Sequence, residues 1–331
     1  MRDATRRSLL AAGLATMAGP ALGPAFAPAF AQADYPSRPV RVLVPFLAGG
    51  ILDQLGRLLA ERLARQTGQP FIVENRPGAG GNVGTLALAR ARGDAYTLGI
   101  GSSGPLAISP IIETNLGYDP LADLTPITLL AQTPLVLVVP ADSPWRDLRQ
   151  MMAALKVGGP EVLYPTPGVG SPQLLAGEAF RQQVGFAAAP VHYNGSAPVV
   201  LAILAKEMPY TFENLTLVLQ HVRQGTLRAL AVTSRTRAAL LPEVPTMAEA
   251  GLPGFEAGGW YGFLGPAGLP EAVVAKLHAE AVTALREPVA MQRIAEMGSP
   301  NITTTPAEFR AFIAAEMQRW RGVMRNATPA R

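Results

Sequence analysis

Apolar runs of strand length alternate with helix-period runs along nearly the whole chain. Apolar stretches at 40–46, 70–74, 96–100, 135–139, 162–164, 191–192, 209–212 and 227–233 predict strands. The first helix is expected from 51 to about 66. Leu52, Leu55, Leu59 and Leu63 recur on one of its faces, and Arg57–Glu61 and Glu61–Arg65 are i,i+4 pairs on the other. Gly68 suits its C-terminal end, where a left-handed residue is wanted. Two later helices open with a serine cap followed by a proline at the first helical position, Ser143-Pro144 and Ser171-Pro172. The last helix starts with a capping box, Thr305 with Glu308. It carries an apolar stripe of Phe309, Phe312, Ile313, Trp320 and Val323. This alternation predicts an α/β fold with a mostly parallel sheet covered on both faces.

Two extended segments interrupt the alternation. "QTPLVLVVPADSPW" leads into a fresh strand–helix series, and "GFEAGGWYGFLGPAGLP" leads into a mainly helical C-terminal part. Two crossings imply two lobes with a cleft between them. Residues 34–138 plus 258–331 are expected to form the first lobe and 139–257 the second.

The first 33 residues stand apart. "TRRSLLAAGLATMAG" sets Arg6 and Arg7 before an apolar run, and Ala31-Gln32-Ala33 fits a small-x-small cleavage site. This reads as an export signal to the periplasm, and the arginine pair points to the twin-arginine route without excluding the general one. Pro20, Pro24 and Pro28 break the stretch and argue against an anchoring helix. Cleavage before Asp34 leaves 298 of the 331 residues.

Composition narrows the chemistry. At 49% hydrophobic residues the chain can bury a large core. Removing Arg2, Arg6, Arg7 and Asp3 from 28 basic and 24 acidic residues leaves 25 and 23, a net of +2. No basic block stands out, so nucleic acid is not an expected partner. The absence of cysteine excludes thiol catalysis and thiolate metal sites.

Several motifs come close to known chemistry and fall short. Gly99, Gly101 and Gly104 in "GIGSSGP" satisfy G-x-G-x-x-G after a strand. Pro105 and Pro110 then rule against the long helix a dinucleotide needs. "RPGAGGNVG" is a second near miss, and neither loop carries the GK[ST] ending of a phosphate loop. Cofactors are therefore not expected. The three histidines, His192, His221 and His278, form no short-spaced pair, so no metal site is expected. No G-x-S-x-G elbow is present, and no residue is assigned as catalytic. An exported hydrolase using Ser171 and His192 remains the enzymatic alternative. What recurs is a turn rich in Gly and Ser between an apolar strand and a helix: "FLAGGILD", "TPGVGSPQ" and "YNGSAPVV". Open backbone N–H groups and hydroxyls at helix starts are ligands for a carboxylate.

The ordered set "YPSRPVRVLVPFLAGG", "GQPFIVENRPGAGGNVGT", "YTLGIGSSGPLAISP", "GVGSPQLLAGEAF", "VHYNGSAP", "LRALAVTSRTRAALLPEVPTMAEAGLPGFEA" and "WYGFLGPAGLP" resembles the Bug family of periplasmic solute receptors. These are the binding components of tripartite tricarboxylate transporters. The resemblance covers essentially all of the chain after the signal. It implies a two-lobed type II periplasmic-binding fold, a small carboxylate held by lobe closure, membrane transporter subunits as partners, a monomer, and no catalysis. A receptor serving signalling rather than transport is equally compatible.

Carried over by position, the first-lobe site falls on Phe46, Ala48, Gly49, Gly50, Ile51 and Asp53, with Ser102 and Ser103. The second-lobe side falls on Gly168, Gly170, Ser171, Tyr193, Gly195 and Asn214. The chain departs from the family pattern at the first loop, where Leu47, Ile51 and Leu52 replace a proline, a glycine and a threonine. In the second lobe His192 replaces a common proline, Asn194 a common basic residue, and Glu213 a common aspartate. Added apolar surface and a lost cation point to a mono- or dicarboxylate with an apolar or aromatic body rather than to citrate. The competing account of Ile51 and Leu52 is that they only pack beneath the first helix.

Overall fold

The computed structural model describes residues 35–300 and 302–327, so the export signal lies outside the described residues. Among the described residues nine strands and ten α-helices follow in chain order. The first part runs β1 (Val40–Val44), α1 (Ile51–Thr67), β2 (Phe71–Asn75), α2 (Asn82–Ala89), β3 (Thr97–Ser102) and the four-residue α3 (Ser109–Ile112). The long β4 (Leu124–Pro140) leads to α4 (Leu148–Lys156), β5 (Val162–Thr166), α5 (Pro172–Val184), β6 (Ala188–His192), α6 (Ser196–Leu204), β7 (Thr211–Asn214), α7 (Leu215–Arg223) and β8 (Leu227–Val232). The chain then crosses back through β9 (Gly258–Pro266) into α8 (Glu271–Arg286), α9 (Pro288–Glu296) and α10 (Pro306–Met324). These elements belong to one body beginning at Pro36.

The sheet is mixed, which corrects the mostly parallel expectation. β1 pairs in parallel with β2 and β3, and β5 with β6. β9, however, runs antiparallel to both β3 and β4, and β4 runs antiparallel to β7 and β8. The reason is that the two crossing segments are themselves core strands. β4 pairs with β9 from Leu124 to Pro134 and then, from Leu135 to Pro140, with β7 and β8. It is buried along almost its whole length, as a strand covered on both faces must be.

The packing follows from these strands. Leu135, Leu137 and Val139 face a core with Met151, Phe180, Tyr210 and Phe212, while Val136 and Val138 face Val200, Ile203, Leu215 and Val218. A third core joins Leu43, Leu106, Leu129, Trp260 and Leu264. Helix α10 serves two of them, with Phe309 and Ile313 in the third core and Trp320 in the first. Each such side chain contributes about 1.5–3 kcal/mol when fully buried.

Local signals hold where the partner is close in sequence. Leu52, Leu55, Leu59 and Leu63 of α1 are buried, and Gly68 closes the helix at φ 71° with its N–H on Ala64 O. Ser171 caps α5, and the Thr305–Glu308 capping box opens α10. Ser143 does not cap α4. Asp147 does, accepting from Gln150 N at 2.8 Å. Arg228 captures the carbonyls of Ser143 and Trp145 from across the sheet, which keeps that stretch out of the helix. On α1, Glu61 pairs with Arg65 at 3.0 Å, but Arg57 turns the other way, to Asp53.

Candidate functional site

The turn between β1 and α1 is built around one buried carboxylate. Asp53 is 4% exposed. Its Oδ2 accepts from Gly49 N and from Arg57 Nε, each at 2.9 Å, and its Oδ1 accepts from Asn75 Nδ2 at 3.0 Å. Asn75 also donates to Phe46 O at 3.0 Å, so β2 holds the turn from its other side. The Arg57 hydrogen bond does most to pull the Asp53 carboxyl down to about 2. The Gly49 and Asn75 donors add to it, and burial opposes it. Asp53 is therefore occupied inside the protein and shapes the loop rather than facing a ligand.

That shape leaves donors open. Gly49 sits at φ 89°, a conformation that suits glycine. Gly50 caps α1 with its backbone alone. The N–H groups of Gly50, Ile51 and Leu52 open the helix with no acceptor among the described residues, as the first turn of any helix requires. Leu52 is buried in the core, Ile51 is half-buried, and Leu47 stands 73% exposed at the loop. Of the three apolar departures, Leu52 thus packs beneath the helix, and Leu47 and Ile51 remain at the loop surface.

Ser102 ends β3 beside Ser103. Both are almost fully buried, and neither hydroxyl makes a hydrogen bond among the described residues. The chain then turns through a single π-helical segment, Gly104–Ile108, before α3. A dinucleotide helix is absent there. Phe46 packs across this region: a methyl group on Gly81 would lie 2.8 Å from its ring and 3.3 Å from Pro105.

The opposing turns lie after β5, β6 and β7. Gly170, at φ 83°, precedes Ser171, whose Oγ accepts from Leu174 N at 3.2 Å. Tyr193 N donates to Thr166 O at 2.8 Å and Gly195 N to Pro167 O at 3.2 Å, which locks the β6 turn to the β5 turn. Gly168 completes this pair, lying against Tyr193 O. The two sets of turns meet at Gly104, where an added methyl would stand 3.5 Å from Gly170 O and 3.7 Å from Gly80 O.

Behind the second set lies Glu213, fully buried on β7. It accepts from Asn214 N at 2.7 Å, from Gln173 Nε2 at 3.4 Å and from the Ser196 hydroxyl. Burial pushes its carboxyl up to about 7, against the pull of these three donors. Sequence reasoning marked Glu213 only as a departure and missed Asn75, Gln173 and Ser196. These are polar residues whose partners lie 17 to 40 positions away, beyond any local spacing signal.

The hydrolase pair does not form. His192 Nδ1 lies 2.6 Å from Thr166 Oγ1, Ser171 Oγ is spent on its helix cap, and no hydrogen bond joins the two among the described residues. Burial lowers the His192 pKa. Among the described residues no cluster of three acids or histidines could hold a metal, and no helix is long and apolar enough to cross a membrane.

A cavity of about 1090 Å³ opens elsewhere, where Gln132–Pro134 of β4 pass Gly258–Trp260 of β9. It contains none of the residues expected to bind ligand. Its charged side chains are paired, Arg235 to Glu256 at 2.8 Å, Arg319 to Glu316 at 3.3 Å, and Arg237 to Glu249 outside the lining at 2.9 Å. The facing turns, whose first-lobe side carries the unanswered N–H groups of Gly50, Ile51 and Leu52, are the stronger candidate.

Fold and turns together define a type II periplasmic-binding protein, two α/β lobes with a cleft between them. Comparison with known proteins gives the family. The model for the tripartite tricarboxylate transporter family receptor, TctC, matches residues 55–328, and the chain belongs to this family. It is 38% identical to protein BugT of Bordetella pertussis over 88% of this chain and 90% of that one. Among solved structures it is similar to Rpa4515 of R. palustris with adipate, at 32% identity and a TM-score of 0.77, covering 88% of this chain and 98% of that one. It is also similar to MatC of Rhodopseudomonas palustris with bound malate, at 29% identity and a TM-score of 0.74, covering 87% and 99%.

Proposed function

We propose that the chain is a periplasmic receptor that closes its two lobes on a small carboxylate and presents it to a tripartite tricarboxylate transporter. The observation that carries this reading is the facing of two sets of turns, the first with open N–H groups at the start of α1, which approach each other at Gly104 and Gly170. In the proposed pose one ligand carboxylate sits on the N–H groups of Gly50 and Ile51 and the hydroxyls of Ser102 and Ser103. The turns of Gly168, Gly170 and Ser171, and of Tyr193, Gly195 and Asn214, close over its far end. A helix start favours an anion by about 0.3–1 kcal/mol, and up to about 2 kcal/mol in partly buried geometry. The lobes divide at 138/139 and 257/258 in this reading, and β4 and β9 flex as the hinge. Adipate and malate in related structures support a dicarboxylate. Leu47 and Ile51 at the loop support an apolar body. The membrane partner reads the closed shape, whose population the ligand raises.

Isothermal calorimetry of the chain against adipate, malate, 3-phenylpropionate and citrate tests this. Adipate or 3-phenylpropionate is expected to bind at least tenfold more tightly than citrate. A preference for citrate overturns the apolar-body reading, and no heat with any carboxylate overturns the receptor reading. Hydrolysis of generic esters that is lost in Ser171→Ala would instead favour the enzyme.

A further inference from the structure

The receptor reading leaves one buried titratable group unused. Glu213 is fully buried, and among the described residues it forms no ion pair with a lysine, arginine or histidine. Its partners are neutral groups at the starts of three helices: Gln173 Nε2 in the first turn of α5, the backbone N and side-chain Nδ2 of Asn214 ahead of α7, and the neighbouring Ser196 hydroxyl at the start of α6. Those helices run 13, 9 and 9 residues. They are the same helices whose leading turns carry Ser171, Gly195 and Asn214. The donor set of the second lobe thus already holds a carboxylate before any ligand arrives.

We propose that Glu213 takes up a proton when a carboxylate ligand is gripped by the second-lobe turns, so that binding is proton-coupled. This rests on the receptor reading above. Two carboxylates that share one set of neutral donors in a site closed to water cannot both stay ionised. Either the incoming group or Glu213 must be neutral. The ligand can keep its charge on the helix starts, whereas Glu213 has no cation to hold its own. Its carboxyl stands near the point where small changes matter, pushed up to about 7 by burial. A nearby anion raises it further. The direction is then fixed: binding is tightest below about 7 and weakens as pH rises, until the still higher value of the bound state is passed.

The other charged groups on the elements around β7 are engaged elsewhere. On α5, Glu178 accepts from Arg181 at 2.8 Å and from Tyr164 of β5 at 2.7 Å. Helix α6 carries no ionisable side chain, β4 offers none along Leu135–Val138, and His221 and Arg223 sit in the last turn of α7. On β6, His192 bonds Thr166. It is the one other group at these turns that could titrate near neutrality, and it serves as the control.

Calorimetry in buffers of different ionisation enthalpy counts the protons. The probe is the tighter binder of adipate and malate, whose second carboxylate faces the second-lobe turns in the proposed pose. At pH 7.5, uptake of about half a proton or more per ligand is expected, with affinity falling up to tenfold per pH unit above that. Glu213→Gln keeps the shape and is expected to bind without uptake, while His192→Asn keeps the uptake. In the wild type alone, the ligand-induced infrared difference spectrum should gain a band from a protonated carboxylic acid, so a Glu213→Gln chain that fails to fold does not decide the matter. Binding without uptake in the wild type, or uptake that disappears with His192→Asn, overturns the proposal and leaves the receptor reading standing. Failure of both adipate and malate to bind overturns the proposal, and failure of 3-phenylpropionate and citrate as well overturns both.

Discussion

At the residue scale, Asp53 and Glu213 do the same work in opposite electrostatic settings. Each is a buried carboxylate that gathers the backbone of a candidate ligand turn, but Asp53 has Arg57 beside it and Glu213, among the described residues, has no cation. Asp53→Asn keeps the size and loses the charge-assisted bonds to Gly49 and Arg57, which should cost about 1.5–3 kcal/mol. The pH dependence has a definite sign. The Asp53 carboxyl is depressed from 3.8 to about 2, so its contribution is present above the ordinary carboxylate range and is lost as pH falls through about 2. Melting curves of wild type and Asp53→Asn should differ by a constant amount from pH 7 to pH 5 and converge toward pH 2. A gap that widens in acid would contradict this role. Sequence could name Asp53 because the resemblance marks its position. It could not show that Asn75 occupies the carboxylate, since β2 reaches it only after the sheet forms, whereas Arg57 stands at an i,i+4 spacing from it.

At the element scale, the return crossing carries more of the structure than its sequence suggests. "GGWYGFLGP" reads as part of a Gly/aromatic-rich extended crossing with no strand assigned to it, yet it is the buried strand β9. The glycines are there for close approach. A methyl group at Gly262 would lie 2.0 Å from the Phe309 ring, which presses α10 onto the sheet. Gly262→Ala is expected to lower stability by about 1–3 kcal/mol, the usual range for overfilling a packed core. It should do so without changing ligand affinity in the fraction that stays folded. Urea unfolding with calorimetry on the same sample checks both halves. The contrast explains what was legible. Caps at Ser171, Thr305 and Gly68 answer to neighbours within a few residues and were readable. The first half of β4, the start of α4 and the pairing of β9 answer to partners about 80 to 140 positions away, and were not.

At the scale of the whole molecule, the proposed function depends on how closely the two sets of turns approach. Their meeting point is Gly104, whose backbone needs no glycine for its conformation but whose surroundings limit size. One methyl group there makes ordinary contact with Gly170 O at 3.5 Å and Gly80 O at 3.7 Å. The branches of a valine have no such room unless the lobes stay apart. Gly104→Ala should therefore bind ligand within about twofold of wild type, and Gly104→Val about tenfold or more weakly, equivalent to about 1.4 kcal/mol against closure. Closure is a population, so ligand at saturation can still shift it only by the difference in its affinity for the two states. Small-angle scattering of the saturated proteins should show wild type and Gly104→Ala compacting together while Gly104→Val stays more open. A Gly104→Val protein that compacts and binds like wild type would mean that closure brings the lobes together somewhere other than Gly104 and Gly170. The carboxylate would then have to be held by one set of turns alone.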